Sequence, residues 1–170
     1  MAARSASPIH FQAINASSEE FWIGKSTSTY CAIDDCPPGN TTAFIYDNGG
    51  VSLDTEVPGG QRVYVTPLGV LGFTQAHSAS APEGADFGNF TYTPATSANT
   101  LGSLSYTGQG ASGFIACPLN PAEETTWQIL ADVSGLEDDD VPGGDLSACL
   151  GFSATTPLYT SSDPAAWQYS

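Results

Sequence analysis

The chain has 170 residues, of which three are basic (Arg4, Lys25, Arg62) and eighteen acidic, for a formal charge of −15. That balance repels phosphate backbones and anionic bilayers and argues against nucleic-acid binding and membrane insertion. The length suits one domain with one sizeable core, and no apolar run is long enough to span a bilayer.

The first eleven residues, MAARSASPIHF, lack the apolar centre of a signal peptide. Met1 reads as a start placed on a mature chain whose leader has been removed, with a cytosolic protein as the alternative. Residues 1–6 are expected to be disordered, and residues 7–170 to form the domain. No window keeps an i, i+3, i+4, i+7 apolar stripe free of Gly and Pro. Strand signals recur instead, at residues 7–14 (SPIHFQAI), 20–25 (EFWIGK), 41–47 (TTAFIYD), 51–57 (VSLDTEV), 61–67 (QRVYVTP) and 70–76 (VLGFTQA). The second half continues with 89–94 (NFTYTP), 101–107 (LGSLSYT), 113–119 (GFIACPL), 126–133 (TWQILADV), 148–155 (ACLGFSAT) and 165–170 (AAWQYS).

The separators carry turn chemistry. Asp47-Asn48-Gly49-Gly50 contains Asn-Gly, the favoured pair of a type I′ hairpin. Pro58-Gly59-Gly60 and Pro67-Leu68-Gly69 offer Pro for the second turn position and Gly for positive φ. Residues 41–75 therefore predict a four-strand antiparallel meander. Alternation predicts Val51, Leu53, Thr55 and Val57 on an inner face, with Asp54 and Glu56 outside. It likewise sets Val63 and Val65 against Arg62 and Tyr64. Residues 76–100 predict a long surface loop crossed by one strand. The expected fold is all-β: a single antiparallel β-barrel or sandwich of about a dozen short strands, with little or no helix.

Cys31, Cys36, Cys117 and Cys149 are even in number and sit in a Ser-, Thr- and Gly-rich chain, which points to an oxidising, extracellular setting. Three sequons, at Asn15, Asn40 and Asn89, agree with it and are candidate glycosylation sites. Of the three possible pairings, Cys31–Cys36 with Cys117–Cys149 is favoured. The first would staple a tight turn and the second would close a loop around the acidic stretch. Zinc is the rival, but of the four only Cys31 and Cys36 have knuckle-like spacing.

The acidic stretch, GLEDDDVPGGD at residues 135–145, is the most conspicuous candidate site. As a calcium loop starting at Asp138 it fails twice, with Pro142 at the fifth position and Cys149 at the twelfth. A non-EF site on Asp138, Asp140 and Asp145 is an alternative; the favoured reading is a solvated turn kept extended by like charges. Asp138, Asp139, Asp140 and Asp145 then form a patch for a cationic partner. Carboxylate pairs such as Glu19–Glu20, Asp34–Asp35, Glu123–Glu124 and Asp54/Glu56 lie beside turn signals, where surface acids belong, rather than in an evident cleft. His10 and His77 read as exposed, and residues 110–114 (GASGF) miss the last Gly of a nucleophile elbow. No phosphate-cradling glycine loop precedes a helix. No catalytic residue, cofactor or metal is assigned. Trp22 and Trp127 read as core, whereas Trp167 divides between docking the last strand and an interface.

The segments SPIHFQAINAS, FWIG, CPPGNTTAF, SLDTEVPGGQRVYV, LGFTQAHSAS, GFIACP, WQILADV and CLGF together resemble a family of small secreted proteins of filamentous fungi. Its members are labelled IgE-binding proteins or cell-wall proteins of the phialide type. The resemblance runs from Ser7 to Tyr169 and places Cys117 and Cys149 on the family pattern. It implies a fungal protein exported to the medium or wall, without known enzymatic action. It also implies a fold similar to the β-barrel of the Alternaria major allergen and related elicitors, which form dimers. The expected function is that of a non-enzymatic effector, elicitor or antigen at the cell wall or host interface. It would act as a homodimer joined through an exposed strand edge, on a host or wall component the sequence does not identify. The alternative is a carbohydrate-binding module for fungal or plant wall glycans, with Trp22 and Trp167 as stacking platforms.

Overall fold

The computed structural model describes residues 1–97 and 100–170. The fold is all-β. The strands are β1 (Ala2–Ala3), β2 (Asn15–Ser17), β3 (Glu20–Ile23), β4 (Thr29–Tyr30), β5 (Phe44–Asp47), β6 (Gly50–Leu53) and β7 (Gln61–Val65). They continue with β8 (Leu71–Phe73), β9 (Phe90–Thr93), β10 (Gly102–Tyr106), β11 (Phe114–Pro118), β12 (Trp127–Ala131), β13 (Leu150–Thr156) and β14 (Gln168–Tyr169). Ten follow one another in the order β5-β6-β7-β8-β3-β12-β11-β13-β10-β9, while β1 adds to β13 and β2 to β3. All of these strand pairs are antiparallel, and β4 and β14 form a separate two-stranded sheet.

The predicted meander is present as β5 to β8. Its first hairpin turns on Asn48 (φ 46°) and Gly49 (φ 86°), two consecutive positive φ angles that define the type I′ geometry. The tip of this hairpin nearly closes the sheet into a barrel. Phe90 N donates to Gly49 O (3.1 Å), the Tyr46 hydroxyl donates to Phe90 O (3.4 Å), and the Tyr46 and Tyr92 rings lie 5.7 Å apart. The free edges of β5 and β9 therefore face each other without a strand ladder between them.

Two expectations are corrected. Residues 7–11 form successive turns and 12–14 an irregular link, rather than a strand. His10 N donates to Ser7 O, Gln12 N donates to Ile9 O, and Phe11 takes φ 56°, so Ile9 alone is buried there while His10 and Phe11 are exposed. Residues 1–6 are not a disordered lead. Ala2 is fully buried and pairs with Ala154, and Ala3 pairs with Ser153, just beyond the residues of β13 that pair with β11. The predicted long loop at 76–100 is crossed by β9, and Ala98 and Asn99 lie outside the described residues.

Among the described residues, hydrophobic burial falls into two clusters. The larger lies inside the barrel and includes Phe21, Phe73, Tyr106, Trp127, Ile129 and Tyr169. The smaller lies against the other face of β11 and β12 and contains Ile115, Cys117, Leu130 and Val141. Alternation along β11 explains the division: Phe114 and Ala116 belong to the first, Ile115 and Cys117 to the second. The last strand is fastened from inside. Gln61, fully buried, donates through Nε2 to Thr74 O and Tyr169 O and accepts from Tyr169 N at 2.7 Å.

Candidate functional site

Two regions are built well enough to be weighed as sites. The acidic stretch is one. It is not extended, as like-charge repulsion predicted. It forms three successive 3-10 turns, Asp138–Asp140, Pro142–Gly144 and Leu146–Ala148. The carboxylates bond to the loop's own backbone, which satisfies N–H groups and outweighs the repulsion. Asp140 accepts from Glu137 N (2.9 Å), Asp138 from Leu146 N (2.9 Å), and Asp145 from both Ser147 N (3.0 Å) and the Ser147 hydroxyl (2.6 Å). Asp139 is exposed beside them.

The loop's apolar side covers the outer face of β11. Val141 is buried against Cys117, Ile115 and Leu130, with Leu146 and Cys149 beside them. Full burial of a Val side chain stabilises by about 1.5–3 kcal/mol. Gly143 takes φ 81° where a Cβ would meet Pro118 O at 2.8 Å and a Pro121 ring carbon at 2.9 Å, so only Gly fits this close approach. A disulfide between Cys117 and Cys149, with Cα atoms 4.2 Å apart, anchors the loop's end. Among the described residues, no three or more His, Cys, Asp or Glu side chains converge as a metal-holding group.

The second region is the barrel interior. A cavity of about 740 Å³ opens among the inner faces of the strands. Its lining is mainly apolar and reaches inward to the buried side chains of Val63, Leu71, Phe114 and Ile129 and the half-buried Phe152 and Ala154. The Phe114 and Phe152 rings lie stacked 6.1 Å apart. The cavity reaches the surface where Phe44, Ile45, Tyr46 and Leu158 line it, since these are 39–73% exposed. Ring size explains the space. Side chains just fill a barrel of about eight strands, whereas ten strands run around this one and small residues such as Val51, Val63 and Ala154 do not span the added width.

The rim is polar but holds little charge. Asn15, Thr41, Thr42, Tyr159 and Ser161 line it, with Asp54, whose carboxylate accepts from Ala165 N at 3.2 Å. Tyr169 holds the rim segment in place: its hydroxyl donates to Thr41 O (2.8 Å) and accepts from Ala43 N (3.1 Å). Burial raises the Tyr169 pKa to about 12. None of the three basic side chains lines the cavity. Arg4 donates to Gly151 O at 2.7 Å, Lys25 lies over the Trp22 ring at 3.1 Å, and Arg62 lies over the Phe87 ring at 4.3 Å.

The remaining candidates are dispersed. His10 accepts from Arg4 N and stacks on Phe11, and His77 is exposed in a turn. Ser112 bonds to Asp132 at the surface. Burial raises the Glu20 pKa, but its hydrogen-bond partner is the Gln128 amide, and Glu19 adjoins it in the turn before β3 rather than across a cleft. Trp22 and Trp127 are buried, so neither offers a stacking platform. Trp167 is half-buried and accepts at its carbonyl from Val57 N, while Tyr169 makes the buried contact that docks the end of the chain. The second disulfide, Cys31–Cys36, staples an exposed loop with Cα atoms 6.1 Å apart. Of the sequons, Asn15 donates to Lys25 O and Asn89 to Asp86, while Asn40 is exposed and its amide nitrogen makes no hydrogen bond among the described residues.

A family model for PhiA-like secreted proteins matches residues 1–170. The chain belongs to this family. It is also 41% identical over 159 residues, 92% of its own length and 76% of the relative's, to an uncharacterized secreted protein of Arthroderma benhamiae. No solved structure matches. The protein is secreted, and its two disulfides suit that compartment. The cavity is what sequence reasoning missed. One signal was available: residues 44–46 (Phe-Ile-Tyr) are apolar without alternation, which marks a strand with something to cover on both faces.

Proposed function

We propose that this secreted protein acts by binding rather than by catalysis, holding an apolar small molecule inside its barrel at the cell wall or host interface. The observation that carries the reading is the apolar cavity of about 740 Å³. It falls within the roughly 300–1,000 Å³ of small-molecule sites, which combine apolar walls with a few polar groups. Among the described residues, Asp54 is the single carboxylate lining it and no histidine does, so the lining offers no carboxylate pair and no Ser–His pair. An effector or elicitor role follows naturally if delivery or capture of that molecule is what a host senses. The free edges of β5 and β9 suit pairing with a second copy, which gives a homodimer. Asn40 is the sequon best placed to carry a glycan.

Native mass spectrometry of the protein purified from culture medium tests the central reading. It should carry a non-covalent adduct that organic extraction removes and that an added apolar probe replaces. A bare chain that takes up no apolar probe contradicts it. Light scattering tests the homodimer, and a clean 17.6 kDa species at micromolar concentration removes it.

A further inference from the structure

The charge layout of the barrel narrows the ligand class. An anionic lipid, such as a fatty acid, gains from a cation where its headgroup stops and is repelled by a carboxylate placed there. The three basic side chains are each engaged elsewhere, on Gly151 O, the Trp22 ring and the Phe87 ring. Met1 also lines the cavity wall, with its nitrogen donating to Thr155 O at 2.9 Å. The rim instead presents Asp54 together with the neutral oxygens and amides of Asn15, Thr41, Thr42, Tyr159 and Ser161. A formal charge of −15 on the whole chain adds long-range repulsion of anions.

We infer that the barrel takes an uncharged lipid, one with an apolar body of sterol or long-alkyl size and a single hydroxyl-type polar end, and excludes the matching carboxylate. This rests on the ligand-binding reading above and adds a choice of headgroup to it. The apolar body fills the space between Phe152, Phe114, Ile129 and Leu71, where it removes apolar wall from water. The polar end stops at the rim, where hydroxyls and amides exchange hydrogen bonds with it at little desolvation cost. Entry is over Phe44, Tyr46 and Leu158, the exposed apolar residues of the mouth.

The test is equilibrium binding of hexadecanol, cholesterol and palmitate at pH 8, with displacement of a fluorescent apolar probe as the readout. Hexadecanol and palmitate share a chain length and differ in headgroup. Hexadecanol and cholesterol should displace the probe, and palmitate should bind about tenfold more weakly or worse. Raising the salt should narrow the gap, since the headgroup stops at a solvent-facing rim where screening weakens repulsion from Asp54 and from the chain's net charge. Ala154→Phe, which fills the cavity from its wall, should abolish displacement by all three. Should that variant misfold, Phe44→Asp at the exposed mouth serves instead and should weaken palmitate further than hexadecanol. Palmitate binding as tightly as hexadecanol overturns the headgroup inference while leaving a ligand-binding barrel. Failure of all three to displace a bound probe overturns the headgroup inference, and failure of the probe itself to bind overturns the ligand-binding reading as well.

Discussion

β12 and β5 are both apolar strands, WQILA and FIYD, yet every residue of β12 is buried and every residue of β5 is exposed. The difference comes from what covers each face. On β12 the inner residues Trp127, Ile129 and Ala131 pack into the barrel core. On its outer face Leu130 lies under Val141 and the disulfide-tied acidic loop. On β5, Phe44 and Tyr46 border a hollow interior, and Ile45 has no loop above it. One flank of the barrel is thus finished by its own chain. The other presents apolar surface that a ligand, a second copy or both would complete.

Truncating one aromatic on each flank should separate the two most strongly. Trp127→Ala should cost about 3–5 kcal/mol in denaturant unfolding, because the core cannot collapse into the gap. Phe44→Ala should cost below about 1 kcal/mol and should instead weaken uptake of apolar ligands. Equal losses would mean that β5 is as much a part of the core as β12.

The disulfides repeat the contrast. The chain-entropy relation gives about 4 kcal/mol for Cys117–Cys149, which spans 32 residues, and about 2 kcal/mol for Cys31–Cys36, which spans 5. Cys117→Ser with Cys149→Ser should also strip the outer cover from β11. Hydrogen exchange at Ile115 and Leu130 should then rise well above its rise in the Cys31→Ser, Cys36→Ser variant.

A smaller effect tests the clasp between the chain's end and the cavity rim. Tyr169→Phe leaves Ala43 N without its buried acceptor and should cost about 1–3 kcal/mol. Burial raises the Tyr169 pKa from its ordinary 10.0 to about 12. A raised pKa means that the protonated phenol is favoured in the fold. Its contribution is complete below pH 10.0 and is lost as pH rises through about 12. Alkaline titration of stability should therefore fall over that window, and Tyr169→Phe should flatten the fall. At the acid end Asp86 works in the opposite sense. Burial raises its pKa, but hydrogen bonds from Asn89, Gly88 and Tyr106 more than offset this and hold it below the usual carboxylate range. Its contribution is present above that range and disappears as pH falls through the lowered value.

Much of the fold was legible in the sequence because it rests on local chemistry. Asn48-Gly49 specified the first hairpin, and period-two patterning marked Val51, Leu53, Val63 and Val65 as inward. Both disulfides join the cysteines that spacing and the family pattern favoured. Non-local features were hidden. The two- and three-residue strands β1, β2 and β4 have no pattern of their own and exist because a longer neighbour offers an edge. The acidic stretch looked like a solvated turn because charge counts do not reveal that carboxylates will bond to adjacent N–H groups, nor that Val141 will reach under Cys117. The cavity depends on the number of strands around the barrel, a quantity that no single segment encodes.

The most direct test is methyl NMR of the protein titrated with hexadecanol. The account predicts shifts confined to the cavity lining, at Val51, Val63, Leu71 and Leu104 and at Ile129, the β12 residue that reaches the cavity. Ile115, Leu130 and Val141, sealed in the outer cluster, should not move. Shifts centred on that outer cluster, or no shifts at all, would contradict it.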